Sequence, residues 1–86
     1  MPRFDQGQSY LQEFTSGQME YILSDVDESG EDYYYYGYLS FRGDCIISRL
    51  TKATGAFRFF KKKNNYTTHW SGRTGLTYVY YNEIFQ

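Results

Sequence analysis

Nucleophilic and acid–base catalysis need a reactive side chain beside a group that activates it. The chain offers one cysteine, Cys45, and one histidine, His69. Cys45 stands between Asp44 and Ile46 in a strand-forming run, where a cysteine serves as a small core hydrophobe. His69 precedes Trp70 in a polar stretch and reads as a loop or packing residue. No serine sits in a nucleophile elbow. A structural zinc site needs about four nitrogen or sulfur ligands, which one cysteine and one histidine cannot supply. Asp25-Val26-Asp27-Glu28-Ser29-Gly30 resembles the opening of a calcium loop, with oxygens at Asp25, Asp27 and Ser29 and glycine at the sixth position. Tyr36 stands at the twelfth position, where that loop needs a bidentate glutamate. The segment therefore reads as a solvated acidic turn. The residues imply binding rather than catalysis: no enzyme activity, no metal and no cofactor.

Two groups suit recognition better. Arg58, Lys61, Lys62 and Lys63 are interleaved with Phe57, Phe59, Phe60 and Tyr66, the mixture of cations and rings that single-strand nucleic-acid binders use. The formal net charge of −1 opposes it, because nucleic-acid domains are usually basic. The plainer reading is a strand whose rings face the core and whose lysines discourage stray edge pairing. Trp70 and Arg73 are spaced to form a stacked pair worth about 0.5–2 kcal/mol. Such a pair either closes one end of a sheet and ties down a loop, or anchors a partner, since Trp, Tyr and Arg dominate interface hot spots. Arg42-Gly43-Asp44 reads as a tight turn.

The elements that must position these residues are strands. Tyr33–Phe41, Cys45–Thr51 and Ala56–Lys62 are rich in β-formers and are separated by Arg42-Gly43-Asp44 and Lys52-Ala53-Thr54-Gly55, two turn signals. A loop is predicted from Lys63 through Arg73, then a closing strand over Leu76–Phe85. Gln18–Ser24 reads as a strand with Met19, Tyr21 and Leu23 on one side, Ser9–Phe14 as a short helix or strand, Asp25–Asp32 as a loop, and residues 1–8 as a flexible arm. Turn signals about ten residues apart suit a small sandwich or barrel. The prediction is a mainly β protein: one domain over residues 1–86, a single small antiparallel sheet curled into a sandwich or barrel, with a less regular N-terminal segment.

With 86 residues and 22% aromatics, including 11 tyrosines and seven phenylalanines, the core must be built largely from rings. A chain this short is marginally stable alone, and a lone cysteine forms no internal disulfide. Oligomerisation or docking is the expected support. Tyrosine suits such interfaces because it joins a large apolar face to a polar tip. Tyr34, Tyr36, Tyr38, Trp70, Arg73, Tyr80 and Tyr81 are the candidate partner-binding residues. Charge is divided unevenly. Residues 1–34 carry eight acids against Arg3, and residues 35–86 carry eight bases against Asp44 and Glu83. The halves cancel within one molecule or meet head to tail between copies, where complementarity would set orientation more than affinity. The N-terminus lacks the apolar run of a signal peptide, and no stretch reaches the roughly 18 apolar residues of a membrane span.

From Tyr36 onward the sequence YGYLSFRGDCIISRLTKATGAFRFFKKKNNYTTHWSGRTGLTYVYYNEIF resembles small tailed-bacteriophage β proteins. The pattern is Tyr-x-Gly-Tyr, an Ile-x-Arg strand, an aromatic-basic strand, Trp-x-x-Arg and a Tyr-rich close. Matched positions are Tyr36, Gly37, Tyr38, Gly43, Ile47, Arg49, Phe57, Trp70, Arg73, Leu76 and Tyr78. Cys45 departs from it, since such proteins often carry Trp there. The resemblance implies a virion-associated or accessory protein that binds other protein, itself or a larger assembly, in a particle or the infected cytoplasm. The alternatives are a phage-encoded inhibitor of a host defence protein and a single-strand nucleic-acid binder using residues 57–63.

Overall fold

The computed structural model describes residues 14–16 and 19–84. The expected arm over residues 1–8 lies outside them, as does nearly all of the segment 9–14. Five strands run in chain order: β1 (Phe14–Ser16), β2 (Met19–Asp27), β3 (Tyr33–Ser40), β4 (Cys45–Thr51) and β5 (Ala56–Lys62). Each pairs antiparallel with the next, in the order β1-β2-β3-β4-β5. The mainly β, single-sheet architecture is as expected. The sheet is an open meander, not closed into a barrel. Strands β3, β4 and β5 match the sequence reading almost residue for residue. The turns between them use Gly43 at φ 92° and Gly55 at φ 76°, a region that glycine enters without steric cost.

Two parts differ from expectation. Strand β2 continues through Asp27 instead of yielding to a loop at Asp25. Its register shifts between Leu23 and Asp25, leaving Ser24 as a bulged residue. A bulge re-aims the side chains beyond it. Asp25 thereby pairs with Gly37 and Asp27 with Tyr35, on the face opposite Tyr21 and Leu23. The second difference is the C-terminal segment. The predicted loop contains a short helix, α1 (Tyr66–Ser71), followed by a 3-10 turn over Arg73–Gly75. The predicted closing strand reduces to one bridge, in which Phe59 and Val79 exchange both backbone hydrogen bonds at 2.7 and 2.8 Å. Beyond it the chain coils into a 3-10 turn over Tyr81–Glu83, capped by the Glu83 carboxylate, which accepts the Tyr80 N–H at 3.2 Å.

One face of the sheet carries the core: Tyr21, Tyr36, Tyr38, Ile46 and Phe59, with Leu23, Tyr34, Leu50, Phe57 and Ile84 packed against them. Burying each large side chain contributes about 1.5–3 kcal/mol. The polar tip of Tyr36 is satisfied by donating to the Glu28 carboxylate at 2.7 Å. The other face carries α1 and the segment as far as Tyr78; beyond the Phe59–Val79 bridge, Tyr81 and Ile84 pack on the core face. No helix among the described residues is long and apolar enough to cross a membrane.

Candidate functional site

On the helix-bearing face, the strand registers align side chains in rungs across four strands. One rung reads Asp27, Tyr35, Arg49, Arg58, and the next Asp25, Gly37, Ile47, Phe60. Gly37 makes room for α1. A Cβ there would collide with the Tyr66 hydroxyl and stand 3.0 Å from the Trp70 ring. Tyr66 and Trp70, one helical turn apart, stack at 6.1 Å between centroids. The Tyr66 hydroxyl donates to Asp25 at 2.6 Å. Burial, reinforced by this acceptor, pushes the phenol well above its ordinary range.

Asp27 is the strongest electrostatic anchor. One carboxylate oxygen accepts the Ser29 N–H at 3.1 Å and hydroxyl at 2.6 Å; the other accepts Nε and Nη2 of Arg73 at 3.1 and 2.7 Å. Four donors fill the carboxylate's acceptor sites and hold its pKa down at about 2, with the Ser29 hydroxyl and then Arg73 as the main causes. Arg73 also donates Nη1 to the Trp70 carbonyl at 2.8 Å and lies over the Trp70 ring at 4.5 Å. The Tyr78 hydroxyl donates to the Arg73 carbonyl at 2.8 Å. Arg73 therefore rivets α1 and the following segment to the sheet.

Arg49 and Arg58 stand differently. They face each other across β4 and β5, which puts their Cβ atoms about 5 Å apart. Arg49 is sandwiched between the rings of Tyr33 and Tyr78, each 4.8 Å from its guanidinium carbon. Its Nε is buried and has no hydrogen-bond partner. Arg58 lies 4.1 Å over Tyr80 and donates Nη1 to the Phe57 carbonyl at 2.8 Å. Among the described residues the ion pair present is Arg73 with Asp27; neither Arg49 nor Arg58 meets a carboxylate. The result is an arginine cleft formed by two arginines on one rung, Arg49 packed on Tyr33 and Tyr78 and Arg58 on Tyr80.

No family model, curated protein or solved structure matches this chain.

The structure divides the sequence-derived candidates. Tyr36 and Tyr38 are each 1% exposed, so they are core residues and not partner-facing ones; their alternate spacing in β3 puts them on the core face. Tyr34 is half-buried under Lys52, whose Nζ lies 4.8 Å over the ring. Trp70 and Arg73 do stack, and both are committed to holding α1. Tyr80 and Tyr81 lie on the surface, 58% and 43% exposed.

The proposed nucleic-acid strip is broken up. Arg58 and Lys62 share the helix-bearing face about 13 Å apart along the strand, Lys61 points to the other face, and Lys63 lies beyond the strand. The rings meant for bases are in use: Phe59 is buried, Phe57 packs on the core, and Phe60 lies against His69 and Tyr78. The segment with calcium-like spacing, read as a solvated acidic turn, is strand as far as Asp27. Asp25 and Asp27 sit in an extended strand and bind Tyr66 and Arg73, while Ser29 serves Asp27. Alternate strand positions stand about 6.6 Å apart in a line rather than around an ion. Among the described residues no group of three or more His, Cys, Asp or Glu is placed to hold a metal. Cys45 is fully buried, and burial pushes its thiol pKa up, which suppresses the nucleophilic thiolate.

The pairing of Arg49 with Arg58 escaped the sequence reading. Its signal was available in the Ile-x-Arg and Phe-x-Phe alternation of β4 and β5, which points both arginines away from the core, but only the register makes them neighbours.

Proposed function

We propose that this protein is a non-enzymatic interaction module that self-associates, a building block or accessory of a larger assembly. The observation that carries this reading is the set of exposed tyrosines beside the arginine pair and along the β5 edge. Tyr33 and Tyr80, 38% and 58% exposed, lie on Arg49 and Arg58, and Tyr81, 43% exposed, stands on the core side of the same edge against Phe59, although the core already holds Tyr21, Tyr36 and Tyr38. Tyr80 and Tyr81 follow directly on the Phe59–Val79 bridge, so they are held on a fixed edge with little ordering entropy left to lose on docking. Tyrosine and arginine together are the composition of interface hot spots. The resemblance to small tailed-phage proteins extends the reading to a virus particle.

Sedimentation velocity on the purified chain from about 5 to 200 µM tests self-association, at concentrations chosen to bracket micromolar affinity. The expected result is a species heavier than the 10.3 kDa chain that Tyr80→Ser with Tyr81→Ser dissociates. A strict monomer throughout the series overturns it. Mass spectrometry of purified particles separately tests the virion assignment, and absence from the particle would overturn that part alone.

A further inference from the structure

The cleft arginines lack acids, and elsewhere the same chain has acids that lack bases. The loop joining β2 to β3 carries Glu28, Glu31 and Asp32, all exposed. Glu28 accepts the Tyr36 hydroxyl, while no base lies within ion-pair distance of Glu31 or Asp32 among the described residues. The loop's backbone is pinned: the Asp32 carbonyl accepts the Lys52 N–H at 2.9 Å, and the Gly30 carbonyl accepts Lys52 Nζ at 3.3 Å. Its acids are thus presented on a fixed turn.

Both features occupy the same end of the sheet. Tyr33, Thr51 and Ala56 form the last rung before the 28–32 loop and the 52–55 turn. Arg49 and Arg58 project from the next rung on that face. We infer that the cleft of Arg49 and Arg58 receives the acidic loop, Glu31 and Asp32 foremost, of a second copy, so that two copies close into a two-fold dimer. This rests on the self-association reading above and names its contact. When donor and acceptor patches lie together on one surface, a two-fold axis satisfies both at once and leaves neither for a third copy.

The chemistry favours a carboxylate in this cleft. Guanidinium groups offer a planar fork matched to carboxylate oxygens, and two rings hold the Arg49 guanidinium in place with no carboxylate beside it among the described residues. Lys62 and Lys63, at the opposite end of the sheet, are flexible point charges without such a frame. A nucleic-acid strand suits the cleft less well. The Tyr33 and Tyr78 rings already lie on Arg49, which takes the faces a base would stack on.

The test is a charge exchange followed by light scattering. One variant carries Arg49→Glu with Arg58→Glu, the other Glu31→Lys with Asp32→Lys. Each alone should need at least tenfold higher concentration to dimerise, because like charges meet at both contacts. Mixed in equal amounts, they should form a heterodimer of wild-type mass. Arg58→Gln, which leaves the Arg49 sandwich intact, should weaken the dimer about fivefold or more and keeps the test valid if Arg49→Glu fails to fold. Folded variants that dimerise like wild type, or that fail to pair when mixed, overturn the proposal. So does a dimer lost on Lys62→Gln with Lys63→Gln but indifferent to Arg58→Gln, or mass that climbs beyond two chains with concentration. A wild-type dimer that ignores the exchange refutes this contact alone; no wild-type association at all refutes the self-association reading itself.

Discussion

Replacing Asp27 by asparagine removes the charge that Arg73 meets while preserving side-chain shape. The folded chain holds the Asp27 carboxyl at about 2 against an ordinary 3.8. Between those values the unfolded chain binds more protons, so the contribution is complete above about pH 5, declines as acid is added, and is gone below about pH 2. A shift of that size corresponds to at most about 2.5 kcal/mol. The paired side chains remain 24% and 20% exposed, and solvent screening brings the expected figure to about 1–2 kcal/mol. Urea denaturation followed by circular dichroism measures it. At neutral pH the Asp27→Asn midpoint should fall by about 1 M, given a slope near 1–1.5 kcal/mol/M for a chain this small. The gap between wild type and variant should close as the pH approaches 2. No gap at neutral pH, or one that persists unchanged in acid, would refute Arg73–Asp27 as the rivet that holds α1 to the sheet.

Further outcomes follow from the same geometry. Gly37→Ala should cost about 2–3 kcal/mol, the size of overpacking a filled site, and lower the melting temperature by about 10 °C or more, because the new methyl meets Tyr66 and Trp70; an unchanged melt would mean that α1 does not sit over Gly37. Tyr66→Phe should cost about 1–2 kcal/mol by leaving the part-buried Asp25 carboxylate with the longer bond from the Ser24 hydroxyl, measured by the same denaturation. Cys45 should react with a thiol reagent at about pH 8 only on unfolding, at least a hundredfold slower than in urea; rapid labelling of the native chain would contradict its burial.

The strands were legible because β3, β4 and β5 combine alternation with glycine turns at Gly43 and Gly55. The faces of Phe57, Phe59 and Arg58 followed from that alternation. Helix α1 was not legible: Asn-Tyr-Thr-Thr-His-Trp has low helix propensity, and the helix exists because Tyr66 and Trp70 lie over Gly37. Only the four-residue interval between those rings hinted at it. The bulge at Ser24 was equally hidden, and without it Asp25 and Asp27 would be assigned to the wrong face. Tyr36 and Tyr38 looked like surplus rings, and composition could not show which tyrosines the core would take. Trp70 and Arg73 were recognised as a pair, and their shared partner Asp27, distant in sequence, was not.

On the function proposed above, the tyrosines and arginines left outside the core meet a second copy of the chain. Static light scattering behind size exclusion, on wild-type protein at about 100 µM and low ionic strength, measures it most directly. A mass twice the 10.3 kDa chain, falling toward one chain as salt is raised, is the expected result. A single-chain mass at every salt concentration would contradict it.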